Sequence, residues 1–152
     1  MSVEECQKCN LLSHQSDLRD FVDYEAGSMH NWAAGYGGIL DVPKEDRLRR
    51  VVAILEILKN LKEIKVLDFG SGEGEMMQAM SLHFEVDGLE PEEGARNKCL
   101  ERGMKVYAAT KEIESNQFDL ITMFHVIEHL YNPASELQKI LLLLKPGGIL
   151  LI

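Results

Sequence analysis

The feature that most constrains the fold is a glycine-rich turn that directly follows a short apolar segment. Residues 65–69 (KVLDF) have the character of a buried strand, and Gly70, Gly72 and Gly74 follow at alternate positions. Glycine lets the backbone turn sharply and approach a ligand closely, because it has no Cβ. A helix is predicted over 73–84, directly after the turn. A strand, a glycine turn and a helix in this order predict an α/β unit that presents its turn to a ligand.

Strand and helix patterns alternate through the rest of the chain. The predicted elements are strands over 84–89, 104–108, 118–124 and 149–152, with helices over 91–102 and 133–144. The near-continuous apolar character of 118–124 is typical of a strand that is buried on both faces of a parallel sheet. Alternating units of this kind predict an α/β fold with a mostly parallel sheet and right-handed crossovers.

Two segments precede the first strand of this sheet. Residues 1–43 are predicted to form an irregular or partly helical cap, and a helix follows Pro43. Apolar residues recur along that helix at three- and four-residue steps, which predicts one face packed on the sheet: Leu48, Val51, Val52, Leu55, Leu58 and Leu61. Charged residues are assigned to the other face: Lys44, Asp46, Arg49, Arg50, Lys59 and Lys62. We therefore expect a cap over 1–43 and a core domain over 44–152.

Composition favours a small-molecule substrate over a nucleic acid. The net charge of −9 argues against a surface that follows phosphates, because nucleic-acid-binding proteins usually carry a basic face. No apolar run approaches the roughly 20 residues of a membrane helix, and the acidic N-terminus lacks the apolar core of a secretion signal. Three cysteines do not make a disulfide framework. We expect a cytoplasmic protein that binds neither nucleic acid nor membrane.

Acidic side chains decide which ligand suits the glycine turn. Gly74 comes one position earlier than the third glycine of the dinucleotide-binding fingerprint. Asp68, Glu73 and Glu75 surround the turn with negative charge, which would repel a diphosphate but suits a ligand with an ammonium and a sulfonium. Glu90 ends the second strand about 20 residues later, where a carboxylate can accept ribose hydroxyls. These residues favour an adenosine ligand without phosphates and disfavour an NAD-dependent dehydrogenase.

Four motifs resemble those of class I S-adenosylmethionine-dependent methyltransferases. They are VLDFGSGEG, VDGLEP, FDLITMFHVIEHLYNP and LLKPGGILLI, which follow the family's order over roughly residues 65–152. The sequence is most similar to the small-molecule O-methyltransferases, a group that includes ubiquinone-biosynthesis and polysaccharide-modifying enzymes. The resemblance implies a Rossmann-like three-layer α/β/α fold, S-adenosylmethionine as cofactor, and methylation of a small acceptor, most often at oxygen.

The resemblance also assigns the glycine turn to one end of the cofactor. Gly70, Ser71 and Gly72 would contact the methionine part, and Asp68 would support their loop. The family's sheet has seven strands, whereas this sequence stops at Ile152, so we expect a sheet that lacks the usual last two strands. The apolar edge of the fifth strand would then pair with another chain, which predicts a homodimer through that edge.

Five further residues are placed around the cofactor by the same resemblance. Glu90 would hold the ribose, Pro91 would flank the adenine, and Thr110 would lie near the adenine ring. Phe124 and His125 would face the methyl group and the acceptor. His125 is the candidate general base, because an imidazole titrates near neutral pH and the position follows a strand of the parallel sheet. The alternative is that His125 only lines the pocket.

Two sequence patterns raise the question of a metal site. His125, Glu128 and His129 spell the His-x-x-Glu-His arrangement of some zinc peptidases, but the surrounding strand and loop belong to a nucleotide-type fold. Some related methyltransferases bind a divalent metal through Glu-x-x-Glu-His, and here His125 replaces the first glutamate. Cys6 and Cys9 are half of a zinc ribbon without a second pair. We therefore assign no metal site and expect free thiols.

Two alternatives stay open. Tyr24, Trp32 and Tyr36 either cover the pocket or pack against the core. The domain is either an active methyltransferase or a catalytically silent S-adenosylmethionine-binding or interaction module.

Overall fold

The core of the molecule is a five-stranded sheet whose neighbouring strands all run parallel. The computed structural model describes residues 2–5, 12–15 and 44–152 of the chain. The strands of the sheet are β3 (Lys65–Phe69), β4 (Glu85–Leu89), β5 (Val106–Tyr107), β6 (Phe118–Thr122) and β7 (Leu144–Leu151). Their order across the sheet is β5-β4-β3-β6-β7, with parallel pairing throughout. This confirms the Rossmann-like α/β fold.

Helices cover both faces of the sheet and connect its strands. They are α1 (Lys44–Leu58), α2 (Glu75–Met80), α3 (Glu93–Glu101) and α4 (Pro133–Leu141), with short 3₁₀ helices over 110–112 and 127–129. Side chains cap the first turn of two of them: Glu92 accepts from two amides of α3, and Asn132 accepts from the amide of Ser135 in α4. Such caps satisfy the first N–H groups of a helix. Among the described residues, no helix is long and apolar enough to cross a membrane.

Two apolar clusters lie on opposite faces of the sheet. One joins α1 and α2 to β3 and β6, and its most deeply buried members include Ile54, Val66 and Met80. The other joins α4 to the opposite face of the same strands, around Leu67 and Ile140. Alternation of side chains along each strand sends neighbouring residues to opposite faces. The three-layer arrangement follows from this alternation.

The buried face of α1 differs from the one predicted from periodicity. Val51, Ile54 and Leu58 are buried, whereas Leu48 and Val52, which we expected on the same face, are 52% and 63% exposed. The expected face is therefore rotated about the helix axis. Arg50 was expected on the solvent face of this helix. It lies four residues before the buried Ile54 and is half-buried. Because residues four apart share a helix face, Arg50 is on the side of α1 that faces the sheet.

The predicted boundary between the last helix and the last strand is wrong. Helix α4 ends at Leu141 rather than Leu144, and β7 begins at Leu144 rather than Ile149. The carbonyl oxygens of Leu142 and Leu143 already accept from backbone amides of residues 116–118, at the start of β6. An irregularity in the β6–β7 register, between the pairs that involve Phe118 and Leu120, accommodates Lys145-Pro146-Gly147-Gly148.

The N-terminal segment also departs from expectation. β1 (Ser2–Glu5) and β2 (Leu12–Gln15) form a separate antiparallel pair, so the prediction of an irregular or partly helical cap is wrong for these residues. Cys6, Cys9, Tyr24, Trp32 and Tyr36 lie outside the described residues. The expectation of free thiols at the two cysteines stays a prediction, and both alternatives for the three aromatic residues stay open.

The corrected face of α1 can be tested with one substitution made at two positions. Leu58→Ala should lower the free energy of unfolding by about 2–5 kcal/mol, because it leaves a cavity in the core. Leu48→Ala should change it by less than about 0.5 kcal/mol, because that side chain is exposed. Equilibrium urea unfolding of both variants measures the difference. Equal losses of unfolding free energy in the two variants would support the buried face predicted from periodicity.

Candidate cofactor-binding site

The candidate residues lie at the carboxyl edge of the parallel sheet. The chain enters the sheet at β3, builds β4 and β5 on one side, and then returns to add β6 and β7 on the other. The crevice between β3 and β6 is therefore a topological switch point, where α/β proteins bind their ligands. Asp68 lies in β3, Glu90 follows β4, Thr110 follows β5, and Phe124 and His125 follow β6.

The backbone of the glycine turn is bonded to the neighbouring strand. The amides of Gly70 and Ser71 both donate to the carbonyl oxygen of Leu89, at 2.8 and 3.1 Å. The amide of Gly72 donates to Oε2 of Glu90 at 2.9 Å. Three consecutive donors that a phosphate-binding turn would offer to its ligand are thus used within the protein. This geometry agrees with a ligand that carries no phosphate.

Two glycines of the turn serve different purposes. Gly70 has φ +78°, and a Cβ placed there would come within 2.4 Å of Cγ2 of Val126, so the loop after β6 packs directly on it. Gly72 has φ +54°, and a Cβ there would meet nothing within 4 Å. A positive φ favours glycine at both positions. The backbone at Gly72 therefore borders open space, as a residue that contacts a ligand requires.

Asp68 is bonded to the neighbouring strand rather than to the glycine turn. Its Oδ1 accepts a 2.7 Å hydrogen bond from Oγ1 of Thr122, and both side chains are buried. The expected support of the loop by this carboxylate is therefore corrected: the amides of the turn at residues 70–72 are bonded to Leu89 and Glu90 instead. Asp68 instead joins β3 to β6 beneath the crevice, and Thr122 is a site residue that sequence reasoning missed.

The two carboxylates of the site have raised pKa values. Burial raises the pKa of Asp68 from 3.8 to about 6; the Thr122 hydrogen bond opposes this rise, the charge of Glu90 adds to it, and Arg50 opposes it. Burial likewise raises the pKa of Glu90, against the hydrogen bonds from the amides of Glu92 and Gly72. Placing two carboxylates in a poorly solvated crevice disfavours their charged forms. A cationic ligand would reverse that effect.

Glu90 retains the capacity to bind hydroxyl groups. Its Oε1 accepts from the amide of Glu92 and its Oε2 from the amide of Gly72, both at 2.9 Å. An ionised carboxylate has about four lone-pair sites on its two oxygens, so each oxygen can take a further donor. The two amide bonds fix the orientation of the carboxylate, and the remaining lone pairs match the paired hydroxyls of a ribose.

Four other predicted site residues have no described bond to Asp68 or to the side chain of Glu90. Pro91 is exposed, and its carbonyl oxygen accepts from Arg96. Thr110 is half-buried at the start of the 3₁₀ helix after β5. The hydroxyl of Ser71 is buried without a hydrogen-bond partner among the described residues. Phe124 is half-buried and packs against the cluster beside α1.

Arg50 joins the site from α1, contrary to its predicted place on the solvent face. Its guanidinium lies 4.6 Å from the centroid of the Phe124 ring, which is the geometry of a cation–π contact. Its Nη2 donates to Nε2 of His125 at 3.0 Å. The side chain of His125 is 66% exposed, with Nδ1 3.5 Å from Oε1 of Glu128. Arg50 is the second site residue that sequence reasoning missed.

His125, Glu128 and His129 are the residues of the metal-binding patterns in the sequence after β6. In the part of the chain that the structure describes, no three histidine, cysteine, aspartate or glutamate side chains converge as metal ligands would. The residues that fit a ligand are the open backbone at Gly72, the oriented carboxylate of Glu90 and the buried carboxylate of Asp68. This set suits an adenosine with a cationic tail.

Solved structures share this fold. An S-adenosylmethionine-dependent methyltransferase of Archaeoglobus fulgidus matches with a TM-score of 0.55 and 20% identity, over 68% of this chain and 51% of that one. A phosphoethanolamine N-methyltransferase of Haemonchus contortus, solved with S-adenosylhomocysteine, matches with a TM-score of 0.58 and 24% identity, over 67% and 27%. The fold is that of the class I S-adenosylmethionine-dependent methyltransferases.

Sequence comparison defines the family more closely. The family model described as a methyltransferase domain matches residues 44–152, and the chain belongs to this family. Its cofactor is S-adenosylmethionine. A ubiquinone biosynthesis O-methyltransferase of Yersinia pestis (strain Pestoides F) is 30% identical over 146 residues, which cover 89% of this chain and 60% of that protein. A Yersinia pseudotuberculosis protein with the same name matches equally. The chain thus spans about three fifths of these relatives.

The raised pKa of Asp68 predicts that its charge opposes folding. Between pH 3.8 and about 6, the folded chain keeps a proton that the unfolded chain has lost, so this residue makes folding less favourable as the pH rises through that range. Asp68→Asn should therefore raise the free energy of unfolding at pH 8 by up to about 3 kcal/mol, and by less at pH 4.5. Chemical denaturation at the two pH values measures this.

The same substitution at Asp119 is the matched control. Burial raises the pKa of that carboxyl, but bonds from Lys145 and from the amide of Lys65 outweigh it, so the pKa is lowered. Asp119→Asn should reduce stability at pH 8, which is the opposite sign. Loss of stability in both variants would show that the charge of Asp68 does not oppose folding.

Proposed function

We propose that this domain binds S-adenosylmethionine at the carboxyl edge of its sheet and directs methyl transfer to an oxygen of a small acceptor. The observation that carries the proposal is the glycine turn whose amides are bonded to Leu89 and Glu90 beside two buried carboxylates. A turn of this kind suits an adenosine ligand without phosphates. The oxygen acceptor is favoured by the 30% identity to ubiquinone biosynthesis O-methyltransferases.

The nucleoside end of the ligand is assigned to the residues after β4 and β5. Glu90, oriented by two backbone amides, would accept the ribose hydroxyls. Pro91 follows it and would flank the adenine, and Thr110 would lie near the adenine ring. Carboxylates that follow the second strand of such sheets hold ribose in the same way.

The methionine end of the ligand is assigned to the crevice between β3 and β6. Gly70, Ser71 and Gly72 would contact it, and the negative charge of Asp68 would favour its ammonium and sulfonium groups. Its carboxylate requires a cation, because the crevice is acidic. Arg50 would supply one: its charge acts on Asp68, and a guanidinium binds carboxylates through two parallel N–H donors.

His125 is the candidate base for the reaction. When bound, S-adenosylmethionine supplies a methyl group that passes to the acceptor oxygen as the bond between methyl carbon and sulfur breaks. The acceptor proton would pass to Nε2 of His125, since a neutral imidazole is a competent base near pH 7. Phe124, whose ring lies beside Arg50, would border the methyl group and exclude water from it.

A catalytically silent binding module is the second candidate. The observation that favours it is the bond from Arg50 to Nε2 of His125, which occupies the ring nitrogen that the reaction needs. The two candidates share the same cofactor site and differ in whether an acceptor is methylated.

The remaining proposals concern partners and location. We propose a small-molecule acceptor, without nucleic acid or membrane binding, for a chain of net charge −9, and a cytoplasmic location. β7 is the last strand of the described sheet, so we propose that a homodimer forms through this strand. Size-exclusion chromatography with light scattering tests it, and a monomer at high concentration would contradict it.

Calorimetric titration tests the cofactor site. S-adenosylhomocysteine should bind with a micromolar Kd and NAD should not bind. Glu90→Gln should weaken S-adenosylhomocysteine binding by about tenfold or more, because the bonds of a charged acceptor to ribose are lost. Glu93→Gln, on the exposed first turn of α3, is the matched control and should bind normally. Tighter binding of NAD than of S-adenosylhomocysteine would overturn the proposed function.

Methyl transfer from S-adenosylmethionine to a panel of phenolic and sugar acceptors separates the two candidates. His125→Ala should reduce the rate of S-adenosylhomocysteine formation by about 10²- to 10⁴-fold, as expected for loss of a general base, while cofactor binding persists. His83→Ala, an exposed position ahead of the amino end of β4, should leave the rate unchanged. Cofactor binding with no turnover of any acceptor would favour the silent module.

A further inference from the structure

Both ring nitrogens of His125 face charged side chains. Nη2 of Arg50 lies 3.0 Å from Nε2, and Oε1 of Glu128 lies 3.5 Å from Nδ1. A guanidinium is always protonated and can only donate, so Nε2 accepts this bond with its lone pair. The imidazole of His125 therefore cannot take a proton at Nε2 while Arg50 is in this position.

Arg50 is held in position by more than this one bond. Its guanidinium also lies over the ring of Phe124, and its charge acts on Asp68. The next residue along α1, Val51, is 4% exposed and belongs to the core cluster of this face. The helix therefore fixes the base of the Arg50 side chain, while the long side chain beyond it can change rotamer.

The backbone of His125 is constrained in a different way. Its φ of +56° is in the left-handed region, which few residues other than glycine adopt. The following residue, Val126, is packed so closely on Gly70 that a Cβ at Gly70 would meet it at 2.4 Å. Because the backbone on the His125 side is fixed by packing, the contact between the two side chains is broken most readily by movement of Arg50.

We propose that Arg50 is a positioning residue that blocks His125 until the carboxylate of the cofactor draws the guanidinium away from Nε2. This inference rests on the proposed function, since it requires a cofactor with a carboxylate. A bidentate bond between guanidinium and carboxylate joins two charged groups and is roughly twice as strong as a hydrogen bond between neutral groups. Cofactor binding would thereby release the lone pair of Nε2, so that the base is available only in the loaded enzyme.

Loss of the His125 side chain is expected to strengthen cofactor binding and not to weaken it. Because the bond between Arg50 and His125 must break for the cofactor to bind, removing it should strengthen binding. By calorimetry, His125→Ala should bind S-adenosylhomocysteine about 2- to 10-fold more tightly than the unmodified protein, the range expected for one hydrogen bond. His125→Gln retains an acceptor for the guanidinium and should restore the original affinity. Affinity for 5′-methylthioadenosine, which lacks the carboxylate, should be the same in all three proteins.

A double-mutant cycle assigns the effect to Arg50. Arg50→Ala should weaken S-adenosylhomocysteine binding, and adding His125→Ala to it should cause no further change. Arg49→Ala is the matched control, because that side chain is 82% exposed on the same helix, and it should leave the affinity unchanged. Nitrogen-15 NMR of the His125 ring provides a second measurement: S-adenosylhomocysteine should shift the Nε2 signal, and 5′-methylthioadenosine should not.

Two outcomes would overturn the proposal, and they are distinguishable. If S-adenosylhomocysteine binds the unmodified protein but His125→Ala leaves its affinity unchanged or weaker, Arg50 does not block His125, and the proposed function stands. If S-adenosylhomocysteine does not bind the unmodified protein at all, the proposed function fails and this inference fails with it.

Discussion

The glycine turn after β3 is bonded to β4 through its own backbone, and the geometry of the site depends on these bonds. The amides of Gly70 and Ser71 converge on one carbonyl oxygen, that of Leu89, and the amide of Gly72 binds Glu90. The same bonds fix the turn against the sheet, orient the carboxylate of Glu90 and use the donors that a phosphate would need. The choice of an adenosine without phosphates therefore follows from the backbone as much as from side-chain charge.

This arrangement puts two carboxylates into a crevice that solvates them poorly. Burial raises the pKa of both Asp68 and Glu90, and their charges repel each other. The hydrogen bond from Thr122 compensates for part of this cost at Asp68. A cationic ligand would compensate for more, because its ammonium and sulfonium groups stabilise the charged carboxylates. The two buried carboxylates thus make the folded domain less stable than it could be, as is common where binding requires buried charge.

The sheet was predictable because its signals are local. Each strand is a short apolar run between turn residues, so alternation with helices was enough to predict a parallel sheet. The errors occur where distant contacts decide the outcome. β7 begins at Leu144 because the preceding carbonyls pair with the start of β6, and the sequence of 141–144 is equally compatible with another helical turn. The face of α1 was ambiguous for a related reason, since apolar residues occupy more than half of its circumference.

The site residues also divide into those with a local sequence signal and those defined by distant contacts. The glycines and Glu90 were predictable from spacing along the chain, whereas Thr122 and Arg50 contact partners 54 and 75 residues away. A signal for Arg50 did exist: it lies four residues before the buried Ile54 and so shares its face. A cation on the buried side of an amphipathic helix is unfavourable unless an acidic or anionic partner is present. The buried carboxylate of Asp68 meets that requirement, because the charge of Arg50 acts on it. The cation on α1 and the acidic residue of β3 are therefore two parts of one site.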